Sequence, residues 1–285
     1  MKVLELIERC SARLDEAGVC FGHGTTNAFD ESAWLVLWKL GLPLDGLDGV
    51  ADNALSPAQV DAVQALVEQR IASRKPAAYL TGEAWLQGVP FHVDERCIVP
   101  RSLIAEPLAD GVIDTWLARP PARVLDLCTG NGSLAVLAAL AWPDARIDAT
   151  DLSADALAVA KLNVERHALG GRITLHQGDG LDAAPRRYDL ILCNPPYVNR
   201  RSMSQLPPEY RAEPALALDG GPDGMDFVRK LLRQAARHLL ARAALVLEIG
   251  HEAEHFAAAF PALRPVWLPT SAGDDQVLLL TRESL

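Results

Sequence analysis

The sequence predicts an α/β fold with a mostly parallel seven-stranded sheet, preceded by a small helical domain and a β-hairpin linker. Three observations indicate this architecture. From residue 123 onward, short apolar runs alternate with helical segments, as in repeated strand–helix units of a parallel sheet. Before residue 76 the apolar residues recur at helical spacing. Between these regions, aromatic and β-branched residues surround Gly88, Val89 and Pro90, a pattern typical of a hairpin.

The length and composition favour a folded chain with two domains. Its 285 residues exceed what a single small core needs, and 49% hydrophobic against 22% charged residues supply enough apolar area to bury. We expect a helical domain over residues 1–77, the hairpin linker over 78–102 and the α/β domain over 103–285.

Two helical runs are expected in the first domain. They contain the apolar residues Val3, Leu4, Ile7 and Leu14, and Val60, Val63, Leu66, Val67 and Ile71. Ser56 and Pro57 start the second run as a capping hydroxyl followed by a proline at the first helical position. Residues 1–75 carry seven basic and eleven acidic side chains, a net charge of −4. Such a domain suits recognition of a protein better than that of a nucleic acid.

The second region predicts seven strands and four helices. The strands are Arg123–Leu127, Arg146–Thr150, Ile173–Gln177, Leu190–Cys193, Ala244–Ile249 and a terminal pair around Val266 and Val277–Leu280. The helices are Ser133–Ala141, Ala154–His167, Met225–Arg242 and Glu252–Ala259.

The segment from Val198 to Asp223 shows few signs of regular structure. Connections of this length in compact domains usually carry function or are disordered. We expect it to form a substrate-facing lid through its charged residues, with a solvated polar loop as the alternative; these residues are Arg200, Arg201, Glu209, Arg211 and Glu213.

Charge and cysteine content exclude several functional classes. A formal net charge of −10 argues against DNA binding, which depends on clustered Lys and Arg. Five scattered cysteines without a C-x-x-C pair and an N-terminus unlike a secretory signal favour the cytoplasm. The apolar run from Leu134 to Trp142 is far shorter than the ~20 residues of a membrane span. The histidines show no metal-like spacing, so we expect neither a membrane segment nor a metal.

A glycine loop follows the first strand of the sheet. It comprises Cys128, Thr129, Gly130, Asn131 and Gly132, and a helix comes directly after it. Glycines in such a loop allow a tight turn and close approach of a ligand to the main chain. The loop lacks the G-x-G-x-x-G pattern of dinucleotide-binding proteins, which favours a cofactor without a pyrophosphate. The alternative is a tight turn with no ligand.

Acidic residues follow the next two strands. Asp151 comes 19 residues after Gly132, close to the ~20 expected of an acid that binds ribose hydroxyls. Asp179 could accept a hydrogen bond from an adenine amino group, or it could cap the following segment. Together with the glycine loop, the expected cofactor-binding residues are Asp151, Leu152, Asp179, Gly180 and Asn194.

The fourth strand runs into Asn194, Pro195, Pro196 and Tyr197, at the sheet edge where α/β proteins bind ligands. Two prolines remove N–H donors, so the Asn194 side chain and the Pro195 carbonyl could accept both hydrogens of a substrate NH₂ group. Tyr197 would stack on a planar substrate and face a cationic methyl group. This arrangement predicts methyl transfer from S-adenosyl-L-methionine to an amide or amino nitrogen. The alternative is a proline-stiffened turn with a packing aromatic.

At these motifs the chain resembles the protein-glutamine N5-methyltransferases, which are class I, Rossmann-like methyltransferases with an N-terminal helical domain. The resemblance covers nearly the whole chain. It includes Ala78–Gly82, Val99–Ser102 with Glu106, Asp126–Gly132, Asp151, Asn194–Tyr197, Tyr210–Pro214, Gly220–Gly221 and Asp223–Gly224. It implies cofactor contacts from Thr129–Gly132, Asp151, Gly180 and Asn194, and a substrate glutamine held by Asn194–Tyr197.

The family has two branches, and several residues favour one of them. Val99–Ser102, Val93–Arg96 and Cys128 within Asp126–Gly130 resemble the branch that methylates ribosomal protein L3, whereas the other branch methylates the Gly-Gly-Gln glutamine of peptide release factors. The resemblance implies L3 as partner, met alone or in an assembling large subunit, with the first domain recognising it. Gly180 departs from relatives that carry a bulky aromatic against the adenine.

Two further alternatives remain open at this point. An adenine-N6 nucleic-acid methyltransferase could use the same Asn194–Tyr197 pocket for a flipped base, but the acidic first domain offers no surface for a phosphate backbone. A non-catalytic module that binds S-adenosylmethionine would have no need of an amide clamp.

Overall fold

The computed structural model describes residues 1–285. The N-terminal helices are α1 (Val3–Glu16), α2 (Ala28–Leu40), α3 (Leu47–Val50), α4 (Pro57–Ser73) and α5 (Ala77–Thr81). The predicted start of α4 is confirmed, because the Ser56 side chain accepts a hydrogen bond from the Gln59 N–H and Pro57 is the first helical residue. Fourteen buried residues from α1, α2, α4, the first residue of α5 and the α1–α2 connection form one apolar core.

A two-stranded antiparallel hairpin follows, as the sequence predicts. Its strands are β1 (Glu83–Leu86) and β2 (Val89–His92). Gln87 and Gly88 both have positive φ, at 50° and 72°, the backbone that a two-residue hairpin turn requires.

The α/β domain contains the remaining elements. They are α6 (Ala105–Ala109), β3 (Arg123–Leu127), α7 (Ser133–Ala141), β4 (Arg146–Asp151), α8 (Ala154–Arg166), β5 (Ile173–Gln177), β6 (Tyr188–Cys193), α9 (Arg200–Gln205), α10 (Pro208–Arg211), α11 (Asp226–His238), β7 (Leu239–Glu248), α12 (Ala253–Ala259), β8 (Val266–Thr270) and β9 (Gly273–Thr281). Short 3₁₀ turns lie at Ile113–Trp116, Gly180–Ala183, Ala215–Ala217 and Arg282–Ser284.

The sheet has seven strands in the order β5-β4-β3-β6-β7-β9-β8. The first five are mutually parallel, and β9 is antiparallel to both β7 and β8. The predicted fold class is therefore confirmed. Buried apolar side chains cover both faces of the sheet. Strand order reverses between β3 and β6, and ligands of open α/β sheets bind in the crevice at such a point.

The predicted helix Met225–Arg242 is wrong in its last four residues, 239–242. Helix α11 ends at His238, and β7 begins at Leu239, which pairs with Tyr188 of β6. The register then shifts before Leu190 pairs with Ala244, and Arg242 has a positive φ of 61°. Pairing with a central strand thus outweighs the helical preference of the Leu- and Ala-rich sequence.

The segment 198–223 is also more regular than predicted, because it contains α9, α10 and a 3₁₀ turn. Two of its acids do not face a substrate. Glu209 is fully buried and forms an ion pair with the equally buried Arg70 of α4 at 3.4 Å. Glu213 is buried against Arg101. These contacts fasten the segment to the helical domain and the linker, whereas Arg200, Arg201 and Arg211 remain exposed.

None of the helices combines the length and the apolarity that crossing a membrane requires.

Candidate active site

The glycine loop is fastened to the strand that precedes it. Asp126 of β3 is fully buried and accepts hydrogen bonds from the Thr129 hydroxyl and from the Ala135 N–H, the latter at 2.9 Å. Burial raises the pKa of the Asp126 carboxyl to about 7. Three residues of the loop have a left-handed backbone: Gly130 at φ 56°, Gly132 at φ 81° and, although it is not a glycine, Cys128 at φ 62°. The backbone therefore turns sharply at three places before α7.

Asp151 closes the loop from the neighbouring strand. One carboxylate oxygen accepts the Gly130 N–H at 2.9 Å, and the other accepts the Ser153 N–H at 2.8 Å. Burial raises the pKa of the Asp151 carboxyl, while these N–H donors oppose the rise. Each oxygen still has a lone pair available, so the carboxylate can accept hydrogen bonds from a ligand's hydroxyl groups.

Asn194 reaches the same place from β6. Leu127 is the register partner of Cys193, so the glycine loop and Asn194 leave neighbouring strands at the same edge of the sheet. Asn194 and Pro196 line a cavity there, and Pro195 is buried. Tyr197 turns away toward β7, where its hydroxyl donates to Glu248 at 3.0 Å.

The structure brings most of the predicted site residues into this one cavity. The predicted residues that line it are Cys128, Thr129, Gly130, Asn131, Asp151, Leu152, Asp179, Gly180, Asn194 and Pro196. Gly132, Pro195 and Tyr197 do not line it. A Cβ at Gly132 would stand 3.2 Å from the Ala160 Cβ, so this glycine allows α7 to pack closely against α8.

Asp179 is less available than the sequence suggests. Its carboxylate forms an ion pair with Lys230 of α11 at 2.7 Å, and the side chain is largely exposed. Lys230 also lies 3.5 Å from Asp182. One oxygen of Asp179 is thus directed toward the lysine at the rim of the cavity.

Several lining residues were not expected from sequence reasoning. Phe227 of α11 lies against Gly180, where an added Cβ would stand 3.7 Å from the ring. Arg101 and Ser102 also line the cavity, and the Arg101 guanidinium donates to both oxygens of Glu213 at 2.6 and 2.7 Å. Leu216, 57% exposed, completes this side. The Val99–Ser102 motif offered a signal for Arg101 and Ser102, whereas nothing near Phe227 marked it.

The lining offers hydrogen-bond acceptors and apolar walls but few reactive groups. It contains no histidine and no lysine. The hydrogen bond to Cys193 and burial raise the pKa of the Cys128 thiol well above its ordinary value, so this cysteine is a poor nucleophile. The arrangement suits a reaction that depends on holding two reactants in place rather than on a covalent enzyme intermediate.

Comparison with known proteins agrees with this geometry. The methyltransferase small domain family matches residues 112–206. A methyltransferase from Pyrococcus furiosus shares the fold, with a TM-score of 0.51 at 18% identity over 77% of this chain and 97% of that one. The ribosomal protein uL3 glutamine methyltransferases of Bordetella pertussis and Burkholderia pseudomallei are 55% and 51% identical to it, each over 99% of this chain and 95% of theirs.

The chain belongs to the uL3 glutamine methyltransferase family. The resemblance inferred from Val99–Ser102, Cys128 and Asn194–Tyr197 is confirmed, including the ribosomal-protein branch. The expectation of a protein-glutamine methyltransferase is confirmed with it.

Proposed function

We propose that this protein methylates the N5 side-chain amide nitrogen of a glutamine in ribosomal protein uL3, with S-adenosyl-L-methionine as methyl donor. One observation carries the proposal: Asn194 shares a single cavity with the Gly130 loop and Asp151. An amide-binding group thereby adjoins a nucleoside-type site at the crevice where the strand order reverses. The uL3 specificity is inferred from the uL3 glutamine methyltransferases to which the chain is 55% and 51% identical.

The residues of the cavity fit the donor. Asp151 would accept the ribose hydroxyls, and the backbone of Thr129 and Gly130 would contact the amino-acid end. Leu152, which is 50% exposed, and Phe227 both line the cavity. These two apolar side chains would enclose the adenine between them. Asp179 would accept from the adenine amino group. When bound, S-adenosylmethionine supplies an electrophilic methyl group on a sulfonium and leaves as S-adenosylhomocysteine.

The substrate amide nitrogen is a poor nucleophile, because its lone pair is delocalised into the neighbouring carbonyl. Asn194 lines the cavity, and its side-chain oxygen would accept a hydrogen bond from one N–H group of the amide, which aims the nitrogen at the methyl group. The Pro195 carbonyl, the second acceptor that the sequence predicts, belongs to a buried residue outside the lining. Pro196, which lines the cavity, would limit the lateral movement of the amide. Tyr197 lies outside the lining with its hydroxyl on Glu248, so it would act through the adjoining Pro196 rather than by stacking on the amide. Fixing two reactants at contact distance provides effective molarities of ~10⁵ M or more. No strong base is needed beforehand, since the nitrogen becomes acidic only as its C–N bond to the methyl group forms and the C–S bond of the donor breaks; one N–H proton then passes to solvent water.

The three regions of the chain would have separate roles in substrate recognition and catalysis. Residues 1–77 would recognise the substrate protein, 78–102 would join them to the site, and 103–285 would bind the donor and carry out the transfer. The net charge of −4 over residues 1–75 complements a basic protein of the ribosome, free or in an assembling large subunit, in the cytoplasm. The Arg70–Glu209 ion pair connects this domain to the segment that lines the cavity at Pro214 and Leu216.

The test uses the full-length protein, methyl-labelled S-adenosylmethionine and two acceptors in separate reactions, unmodified uL3 and an unmodified release factor. Mass spectrometry then locates the label. We expect label on one glutamine of uL3 and none with Asn194→Ala. Label on the release factor alone would contradict the uL3 specificity, and label on nucleic acid alone would overturn the protein substrate.

A further inference from the structure

Glu248 is a buried carboxylate to which the proposed chemistry assigns no role. It lies at the end of β7, is 2% exposed and does not line the cavity. One oxygen accepts from the Ser102 hydroxyl at 2.6 Å and from the Leu103 N–H at 2.9 Å. The other accepts from the Tyr197 hydroxyl at 3.0 Å. A single side chain thus joins the end of the linker to the Asn194–Tyr197 segment.

Burying a carboxylate is costly unless hydrogen bonds compensate it, and an apolar residue could fill the same volume at lower cost. Burial raises the pKa of Glu248, and its three donors oppose the rise. Burial also raises the pKa of Tyr197, so the phenol keeps its proton and donates it. Unlike an apolar residue, the carboxylate orients each of its three hydrogen-bond donors.

The Tyr197 ring is constrained from a second side by the same strand end. A Cβ at Gly250 would stand 2.5 Å from a ring carbon of Tyr197, so only glycine admits the ring at this point. Pro196, next to Tyr197, and Ser102 both line the cavity. Glu248 therefore contacts both the Asn194–Tyr197 segment and the Ser102 side of the cavity.

We infer that Glu248 is a positioning residue, which fixes the Tyr197 ring relative to the Ser102 side of the cavity and so sets where the substrate amide is held. The inference rests on the proposed function of Asn194–Tyr197. Glu248 touches neither the donor nor the glutamine. Its loss should lower kcat and leave binding of the donor nearly unchanged, because Glu248 shares no hydrogen-bond partner with Asp151 or the glycine loop.

The experiment compares Glu248→Gln, Tyr197→Phe and the double variant with the wild-type protein on uL3. Glutamine keeps the shape of the side chain but presents one acceptor oxygen to three donors. We expect each single variant to lose roughly tenfold to a hundredfold in kcat, as displacements near 1 Å do, with the Kd of S-adenosylmethionine within about threefold. The double variant should lose no more than the worse single variant, since both remove the same hydrogen bond.

Asp189→Asn is the matched control. Asp189 likewise accepts two backbone N–H groups, from Ala122 and Arg123 at 3.0 and 2.9 Å, but it lies near the opposite end of β6. It should keep wild-type kcat. Losses that multiply in the double variant, or a wild-type kcat in Glu248→Gln, would overturn the positioning role alone. If Glu248→Gln fails to fold, Tyr197→Phe serves as the test, and a wild-type kcat in that variant would overturn the positioning role. A wild-type protein inactive on uL3 would overturn the proposed function as well.

Discussion

The Phe227 ring lies against Gly180, 3.7 Å from the position that a Cβ on this glycine would occupy. Gly180 has a φ of 63°, so any larger residue there would be strained. The resemblance implies a bulky aromatic at this position in some relatives, whereas here an aromatic from α11 lines the cavity beside it. The two residues together would close the adenine end of the proposed cofactor site without an aromatic in the 178–180 turn.

Phe227→Ala should therefore weaken binding of S-adenosylmethionine by about tenfold, equivalent to ~1.4 kcal/mol and within what an aromatic stacking contact and its apolar burial contribute. Isothermal titration calorimetry measures the Kd directly. Phe29→Ala, at an exposed position on α2, controls for loss of a phenylalanine elsewhere. An unchanged Kd in Phe227→Ala would show that the adenine lies away from α11.

Asn194→Ala should separate binding from turnover. The variant removes the proposed side-chain acceptor of the substrate amide and leaves the glycine loop and Asp151 in place, so the Kd of the donor should stay within a few fold. Turnover on uL3 should fall a hundredfold or more, on the scale of losing one oriented catalytic partner. Single-turnover assays with saturating donor measure this step, and Asn53→Ala, exposed in the first domain, serves as control. Wild-type turnover in Asn194→Ala would contradict the amide clamp.

Asp151→Asn should weaken binding of the donor and leave turnover nearly unchanged, the reverse of the effect expected for Asn194→Ala. Its amide nitrogen cannot accept from a backbone N–H, so either Gly130 or Ser153 loses its partner and one acceptor for the ribose disappears with it. We expect the Kd of the donor to rise roughly thirtyfold or more, consistent with losing two hydrogen bonds of ~1 kcal/mol each. The kcat at saturating donor should change only a few fold. A defect confined to kcat would argue against ribose binding by this acid.

The sequence predicted the parts of the site whose signals are local. A glycine loop, an acid at a set distance and Asn194 after an apolar strand each depend on a few neighbouring residues, and parallel strands bring their ends to one edge. Phe227 and Glu248 were missed because their roles come from partners distant in the chain, at Gly180 and Tyr197. Glu209 and Glu213 were misjudged for the same reason, since acidic residues in an irregular segment look exposed until Arg70 and Arg101 are in view.

Asp126 should make the stability of the protein depend on pH. Its folded pKa of about 7 exceeds the ~3.9 of an unfolded chain, so between these values the native state holds a proton that the unfolded state has released. Stability from this group is therefore fully present below about pH 4 and is lost as the pH rises toward 7.

The measurement compares the wild-type protein with Asp126→Asn, which mimics the protonated carboxyl and cannot ionise. Urea unfolding at pH 5, 6, 7 and 8 gives the free energy of unfolding of each. The value for Asp126→Asn minus that for the wild type should increase from pH 5 to about pH 7 and level off by pH 8, because Asp126 is then ionised in both the folded and the unfolded state. Titrations that the two proteins share cancel in the difference. A difference that is constant from pH 5 to 8 would mean that Asp126 is already ionised in the folded protein at pH 5, held so by Thr129 and the Ala135 N–H.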